Sequence, residues 1–248
     1  LSFQIDSPEV HRAAAAYLEP VDYVTARLTG TRTATQGSVF AWQLVDNRRL
    51  GVTGYDFDLL GMAGVDASRL PQLVAPDSVV GSVRTDVSEA TGLPATAEVR
   101  AGMTDTQAAA LASGVSSGRR GHGQPAGRLG IAIGTTSVVL ASTSKMTADL
   151  DHEVLSMPGI SPDRWLVWGE NGLAGRAVEH VMGRLVHADD ALGSHGGGDP
   201  FDGFDAALAQ SPPGARGLLF LPWLSGSMSP QADASARGGF IGMSLDTD

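Results

Sequence analysis

Residues 128–142, RLGIAIGTTSVVLAS, form two apolar runs joined at Gly134-Thr135-Thr136. Short apolar runs rich in Ile and Val and separated by a turn are typical of neighbouring β-strands. Glycine lets the backbone approach another group closely, and successive N–H groups with threonine hydroxyls can hold phosphate oxygens. Taken alone, the turn is either an ordinary hairpin turn without a ligand or a candidate phosphate contact.

On both sides of this hairpin the chain alternates between candidate helices and strands. The patterns predict helices at 9–18, 21–28, 55–61, 106–113, 173–186 and 204–210, and further strands at 79–83, 97–100, 165–168, 217–224 and 239–245. Residues 116–127 are polar and rich in Gly and Arg, which is typical of a connector between domains. The expected organisation is two α/β lobes, at 1–115 and 128–248, on either side of that connector.

Composition limits the classes of function. The net charge of −10 argues against binding to nucleic acid, which needs a basic surface. The chain has no cysteine, so disulfides and cysteine-based zinc sites are excluded. No run of 18 apolar residues and no signal-peptide pattern occurs in the sequence, so we expect a cytoplasmic protein without a membrane span.

Asp105 is the first candidate for chemistry, because it stands where a predicted strand ends and a predicted helix begins. A carboxylate in the first turn of a helix stabilises that helix by about 0.3–1 kcal/mol and needs no other role. The same position can also aim a carboxylate into a cleft, where it can act as a base. Thr106 and Gln107, which follow it, are either contacts for a hydroxyl-rich ligand or ordinary helix residues.

Four segments follow one another along the chain. They are residues 20–30 with PVDY at 20–23 and RLTG at 27–30, residues 101–105 (AGMTD), residues 130–137 (GIAIGTTS) and residues 213–226 (PGARGLLFLPWLSG). Their order resembles that of the FGGY family of carbohydrate kinases, in its xylulokinase-like branch. The family's matching motifs are P-x-D-Y and R-L-T-G, then A-G-G-G-D, its second phosphate motif, and its P-G-A-x-G-L-L-F-L-P-Y-L-S-G strand and loop.

This resemblance implies an α/β fold of the ribonuclease H-like, actin-type ATPase kind, with two lobes around a cleft. Residues 1–115 would be the C-terminal part of the sugar-binding lobe, and 128–248 the first part of the nucleotide-binding lobe. The family's opening D-x-G-T hairpin and its later glycine-rich adenosine motif are not found in the sequence. Both lobes are therefore expected to be incomplete, and the chain alone is expected to be an inactive segment.

The implied reaction is ATP-dependent phosphorylation of a sugar or polyol hydroxyl, with ATP and Mg²⁺ as cofactors and a ketopentose such as xylulose favoured. By resemblance, Asp105 is the catalytic base and contacts the sugar together with Thr106 and Gln107. The nucleotide contacts implied by resemblance are Gly134, Thr135, Thr136, Gly175 and Glu179. The alternative for Gly175 is close helix packing, and for Glu179 a solvated helix face. No residue is assigned to a metal.

Several departures from the family's motifs leave the identity of the sugar substrate open. Met103 and Thr104 replace two glycines, and Thr106 stands where xylulokinases often carry Asn. Residues 227–230 are SMSP where E-R-T-P is usual. One alternative is a non-catalytic sugar- or nucleotide-binding relative, and another is an interaction module that only shares the fold. The expected partner is a small-molecule sugar or polyol, without nucleic acid or membrane, and a homodimer is left open.

Overall fold

The computed structural model describes residues 5–115, 128–186, 191, 193, 199, 201–245 and 247. The chain divides into two compact units. The first comprises Leu1–Gly130, Leu140–Thr147 and Ser156–Val167, and the second comprises Ile131–Val139, Ala148–Leu155 and Trp168–Asp248. The predicted connector at 116–127 lies outside the described residues, so the predicted boundaries stay a prediction. In the described ranges no helix is long and apolar enough to cross a membrane.

The N-terminal part of the first unit contains short helices and two small sheets. The helices are α1 (Pro8–Ala13), α2 (Pro20–Thr29), α3 (Phe57–Ala63), α4 (Thr85–Thr91) and α5 (Asp105–Ala112). Strand β1 (Thr33–Thr35) pairs in parallel with β2 (Gln72–Val74), and β3 (Val79–Ser82) pairs antiparallel with β4 (Glu98–Arg100). Helix α2 ends at Gly30 with φ 81°, as predicted from the glycine that follows the helical pattern.

The prediction of a helix at 9–18 is wrong in its second half, because α1 ends at Ala13. The backbone beyond this point is bound by other parts of the chain. The Tyr17 N–H donates to the Arg69 carbonyl at 2.9 Å, and the Arg32 guanidinium donates to the Ala15 carbonyl at 3.2 Å. These long-range bonds override the high helix propensity of the alanines.

Four strands form the largest sheet among the described residues. They are β5 (Leu129–Ile133), β6 (Ser137–Thr143), β7 (Val154–Pro158) and β8 (Trp165–Asn171), in the order β5-β6-β8-β7. The two strands predicted in 128–142, joined at Gly134-Thr135-Thr136, are confirmed. Strand β7 was not predicted, and β8 is longer than the predicted 165–168.

The remaining elements belong to the second unit. Helix α6 (Gly175–Val181) continues as a π-helix (Met182–Val186), α7 is Phe204–Gln210 as predicted, and β9 (Leu219–Leu221) pairs antiparallel with β10 (Gly239–Ile241). The predicted strands 217–224 and 239–245 are too long. The chain before β9 turns sharply, since Gly214, Ala215, Arg216 and Gly217 have φ values of 81°, 43°, 52° and 86°.

The core of the first unit encloses a carboxylate. Its apolar part consists of the buried residues Ala34, Val39, Val45 and Leu73, with Trp42, Val52 and Tyr55 packed against them. Asp22 of α2 is only 1% exposed, and the Ser38 hydroxyl lies 2.8 Å from its Oδ2. Burial raises the pKa of Asp22 to about 6; the Ser38 hydrogen bond opposes this shift and the negative charge of Glu19 adds to it.

Candidate active site

The segment that leads to Asp105 packs directly against helix α2. The Ala101 N–H donates to the Ser78 carbonyl at 2.9 Å just after β4 ends. A Cβ on Gly102 would lie 2.3 Å from Cγ2 of Val21. This position therefore has no room for a side chain, and the approach of the chain to α5 is fixed by close backbone contact.

The start of α5 is closed by a capping box. The Thr104 hydroxyl accepts a hydrogen bond from the Gln107 N–H at 3.3 Å, and the Gln107 Oε1 accepts from the Thr104 N–H at 3.0 Å. Thr104 is one of the departures from the family's glycines. Its side chain here provides a cap that glycine could not provide.

Asp105 is the first residue of α5 and its side chain is exposed. Its Oδ1 accepts from the Thr106 N–H at 2.6 Å and lies 3.3 Å from the Thr106 hydroxyl. Within the described ranges, its Oδ2 receives no hydrogen bond. The carboxylate is therefore oriented through one oxygen and offers the other to solvent, which suits a group that accepts a proton.

Gln107 has a different environment from its two neighbours. Its side chain is 2% exposed, and its Nε2 donates to the Pro158 carbonyl at 2.9 Å. These bonds agree with the alternative that Gln107 is a helix residue, and its contact with a sugar stays a prediction. Thr106 is half-buried beside Asp105, and its predicted sugar contact is also untested.

In the second unit, the predicted phosphate turn lies against the start of α6. The Gly134 carbonyl accepts from the Gly175 N–H at 2.8 Å, and the Thr135 carbonyl accepts from the Ala174 N–H at 3.1 Å. A Cβ on Gly175 would lie 2.5 Å from the Gly134 oxygen. The structure thus brings Gly134, Thr135 and Gly175 together, and the close packing considered as an alternative for Gly175 is present.

These bonds fix the direction of the turn's amides. In a trans peptide the N–H points opposite to the C=O of the same peptide unit. Because the carbonyls of Gly134 and Thr135 point at α6, the N–H groups of Thr135 and Thr136 point away from it, on a turn with an exposed tip. Two successive N–H groups with a common direction suit an anion such as a phosphate.

Glu179 lies four residues after Gly175 on α6, so the two share one face of the helix. Its side chain is exposed, and its predicted contact with the nucleotide stays a prediction. Sequence reasoning missed Pro158 and Ala174 because they take part only through backbone atoms. Such contacts leave no signal in the choice of side chain.

Within the described part of the chain, no group of three or more His, Cys, Asp or Glu side chains could hold a metal ion. Magnesium that accompanies ATP is held largely by phosphate oxygens and water, with only one or two carboxylates. This finding therefore leaves the predicted Mg²⁺ untested.

Comparison with known proteins identifies the family. The FGGY family of carbohydrate kinases matches with its N-terminal domain over residues 3–112 and with its C-terminal domain over residues 129–248. This chain belongs to the FGGY family of carbohydrate kinases. The resemblance predicted from four short segments is confirmed.

The similar relatives include two xylulose kinases. That of Bacillus subtilis (strain 168) is 29% identical over 238 residues, which cover 95% of this chain and 43% of the relative. That of Streptomyces rubiginosus is 31% identical over 242 residues, covering 97% of this chain and 42% of the relative. The chain of this FGGY member thus spans less than half the length of either relative.

A solved structure supports the fold. The crystal structure of xylulose kinase from Rhodospirillum rubrum matches 98% of this chain and 45% of its own chain, with a TM-score of 0.71 and 25% identity. The predicted fold class, the actin-type ATPase fold of this family, is confirmed.

Proposed function

We propose that the protein transfers the γ-phosphoryl group of ATP to a hydroxyl group of a sugar or polyol, with a ketopentose such as xylulose favoured. Family membership and the names of the two xylulose kinases support this proposal. The non-catalytic alternative is not favoured by these relatives. The observation that carries the proposal is the exposed carboxylate of Asp105 at the start of α5, which is hydrogen-bonded through Oδ1. A cytoplasmic location belongs to the same proposal.

On the sugar side, Asp105 acts as the general base. Thr106 binds Oδ1, so Oδ2 receives the proton of the attacking hydroxyl. The hydroxyl oxygen forms a bond to the γ-phosphorus while the bond from that phosphorus to the bridging oxygen breaks, and ADP leaves. Because phosphoryl transfer depends mainly on positioning and charge, the hydrogen bonds on Oδ1 contribute by orienting the free oxygen.

On the nucleotide side, the N–H groups of Thr135 and Thr136 bind phosphate oxygens of ATP. Gly175 keeps α6 against the back of the turn and so preserves the direction of those N–H groups. Glu179 contacts the ribose or the base. A Mg²⁺ ion bound with ATP supplies neutralisation of phosphate charge, and no residue of this chain is assigned to it.

The direct test is an ADP-release assay on the protein expressed from its complete coding sequence. The substrates are ketopentoses, other ketoses, glycerol and gluconate, and the control is Asp105→Asn. We expect ADP formation that depends on xylulose and is lost in the variant. Stabilisation by sugar or ATP without any ADP formation would instead support the non-catalytic alternative. The 248-residue chain assayed alone is expected to be inactive.

The proposed binding of ATP phosphates by the Gly134 turn is tested by alanine variants of two glycines on the same helical segment. Gly175→Ala places a Cβ 2.5 Å from the Gly134 oxygen, whereas a Cβ at Gly183 meets nothing within 4 Å. A shift of the turn by a fraction of an ångström should lower kcat/KM for ATP on the order of 10- to 100-fold. Gly183→Ala should leave it unchanged, and equal behaviour of the two variants would contradict the proposed role of the turn.

A further inference from the structure

The amide of Gln107 lies between three separate segments of the first unit. It closes the capping box on Thr104, it donates to the Pro158 carbonyl 51 positions along the chain, and it lies against Gly37. All three contacts are in the interior, since the Gln107 side chain is 2% exposed. A buried polar side chain with this many partners is held in one orientation.

Gly37 controls the space that this amide occupies. A Cβ at this position would lie 2.2 Å from the Gln107 Nε2 and 3.0 Å from its Cδ. Gly37 does not have a positive φ, so a left-handed backbone does not account for this glycine. The space that the Gln107 amide occupies does account for it.

We propose that Gln107 is a positioning residue for Asp105, an inference that rests on the proposed kinase function. Asp105 lies between the two partners of the capping box, Thr104 and Gln107. If the Gln107 amide loses its anchor on Pro158, the box opens and buried polar groups on both sides lose their partners. The first turn of α5 then shifts, and the Asp105 carboxylate moves with it.

The contacts also distinguish positioning from sugar binding. The Gln107 Oε1 lies 3.0 Å from the Thr104 N–H and 3.3 Å from the Thr104 hydroxyl, and its Nε2 is bound to Pro158. A sugar hydroxyl would have to displace one of these buried partners to reach the amide. Loss of Gln107 should therefore lower kcat, whereas loss of a sugar contact would raise KM for the sugar.

The test uses the protein expressed from its complete coding sequence and two variants that disturb the same amide from opposite sides. Gln107→Met keeps the length of the side chain but removes its hydrogen bonds, and Gly37→Ala pushes the intact amide out of place. Since a displacement of about 1 Å can cost on the order of 10²-fold, we expect kcat to fall on the order of 10- to 100-fold in each. KM for sugar and for ATP should stay within about threefold of the wild type.

A double-mutant cycle shows whether Gly37 acts through Gln107. In a Gln107→Ala background the amide is gone, so adding Gly37→Ala should cause no further loss of kcat. Leu60→Ala, in the buried part of α3 away from these contacts, serves as the control for lost stability and should lower Tm without lowering kcat.

If the wild-type protein is an active kinase, three outcomes would contradict the positioning role of Gln107 and leave the proposed function unaffected. They are wild-type kcat in folded Gln107→Met, a raised sugar KM with unchanged kcat, and a loss of kcat in Leu60→Ala equal to that in Gln107→Met. An inactive wild type, or a fully active Asp105→Asn, would overturn the proposed function and this inference with it.

Discussion

Asp22 and Asp105 are both carboxylates in the first turn of a helix of the first unit, yet their surroundings are opposite. Asp22 is 1% exposed, bonded to Ser38 and close to the apolar core. Asp105 is exposed, and among the described residues its carboxylate is hydrogen-bonded by the neighbouring Thr106 alone. Asp22 is the third residue of its helix and Asp105 the first, so the same residue type in a first turn stands in two opposite environments.

The raised pKa of Asp22 follows from its burial and needs no part in a reaction. Burial raises the pKa of Asp22, so this side chain is protonated more easily than usual. Once protonated, it can donate to the Ser38 Oγ and leave the Ser38 hydroxyl free to donate to the Thr35 carbonyl, 3.1 Å away. The raised pKa is therefore a property of core packing, and the candidate base is the solvent-accessible Asp105.

The largest expected effect is a loss of kcat when Asp105 is replaced. Asp105→Asn keeps the shape of the side chain but cannot accept the proton, so kcat should fall on the order of 10²- to 10⁴-fold. Tm should stay close to that of the wild type because the cap of α5 is Thr104. Steady-state kinetics and thermal unfolding on the same preparations test both statements, and near-normal turnover would remove Asp105 as the base.

Asp22→Asn should give the reverse pattern, with an effect on stability and none on kcat. The folded-state pKa of Asp22, about 6, lies above its ordinary value of 3.8, so the folded protein binds more protons than the unfolded chain between these values. The contribution of Asp22 to stability is complete below about pH 4 and is lost as the pH rises through about 6. The Asn variant does not titrate and so does not lose this contribution.

The measurement is the free energy of unfolding of both proteins at pH 4 and pH 7.5. Between pH 4 and pH 7.5 the free energy of unfolding of Asp22→Asn should rise relative to that of the wild type by roughly 2–3 kcal/mol, since one pKa unit is worth about 1.4 kcal/mol. Other titrating groups cancel in this difference because both proteins contain them. A difference that does not change with pH would show that Asp22 has an ordinary pKa.

The smallest expected effect concerns the tether of Asp105. Thr106→Val removes the hydroxyl at 3.3 Å from Oδ1 but keeps the backbone N–H at 2.6 Å. The lost bond is long, so kcat should fall only about two- to tenfold, consistent with roughly 0.5–1.5 kcal/mol for one hydrogen bond. Thr106→Ser keeps the hydroxyl and is the matched control. A loss as large as that of Asp105→Asn would mean that the Thr106 hydroxyl has a direct part in the reaction.

Local patterns predicted much of the fold. The hairpin strands around Gly134, the end of α2 at Gly30 and the helix Phe204–Gln210 follow from runs of apolar residues and from glycine. Strand β7 was missed, and the strand at 217–224 was predicted too long. The sharp turn before β9 was also missed, because positive φ values at non-glycine residues such as Ala215 and Arg216 leave no mark in the sequence. The early end of α1 depends on Arg69, more than 50 positions away.

The candidate site could be predicted only in part, because some of its contacts join residues that are far apart in sequence. The identity of Asp105 and of the Gly134 turn followed from motif resemblance. The contact of Gly175 with the turn and that of Gln107 with Pro158 join residues that are about 40 and 51 positions apart in sequence, respectively, through backbone carbonyls. No local pattern encodes a bond of this kind, so the interior position of Gln107 became visible only in the fold.

Strand β5 has a consequence for the behaviour of the protein in solution. Among the described strands it stands at one end of the four-stranded order, and its alternate side chains Leu129, Ile131 and Ile133 are 65%, 61% and 72% exposed. A terminal strand with apolar side chains is a template on which a second chain can add its own strand. The 248-residue chain prepared alone should therefore self-associate increasingly with concentration, which light scattering would detect as a rising average mass.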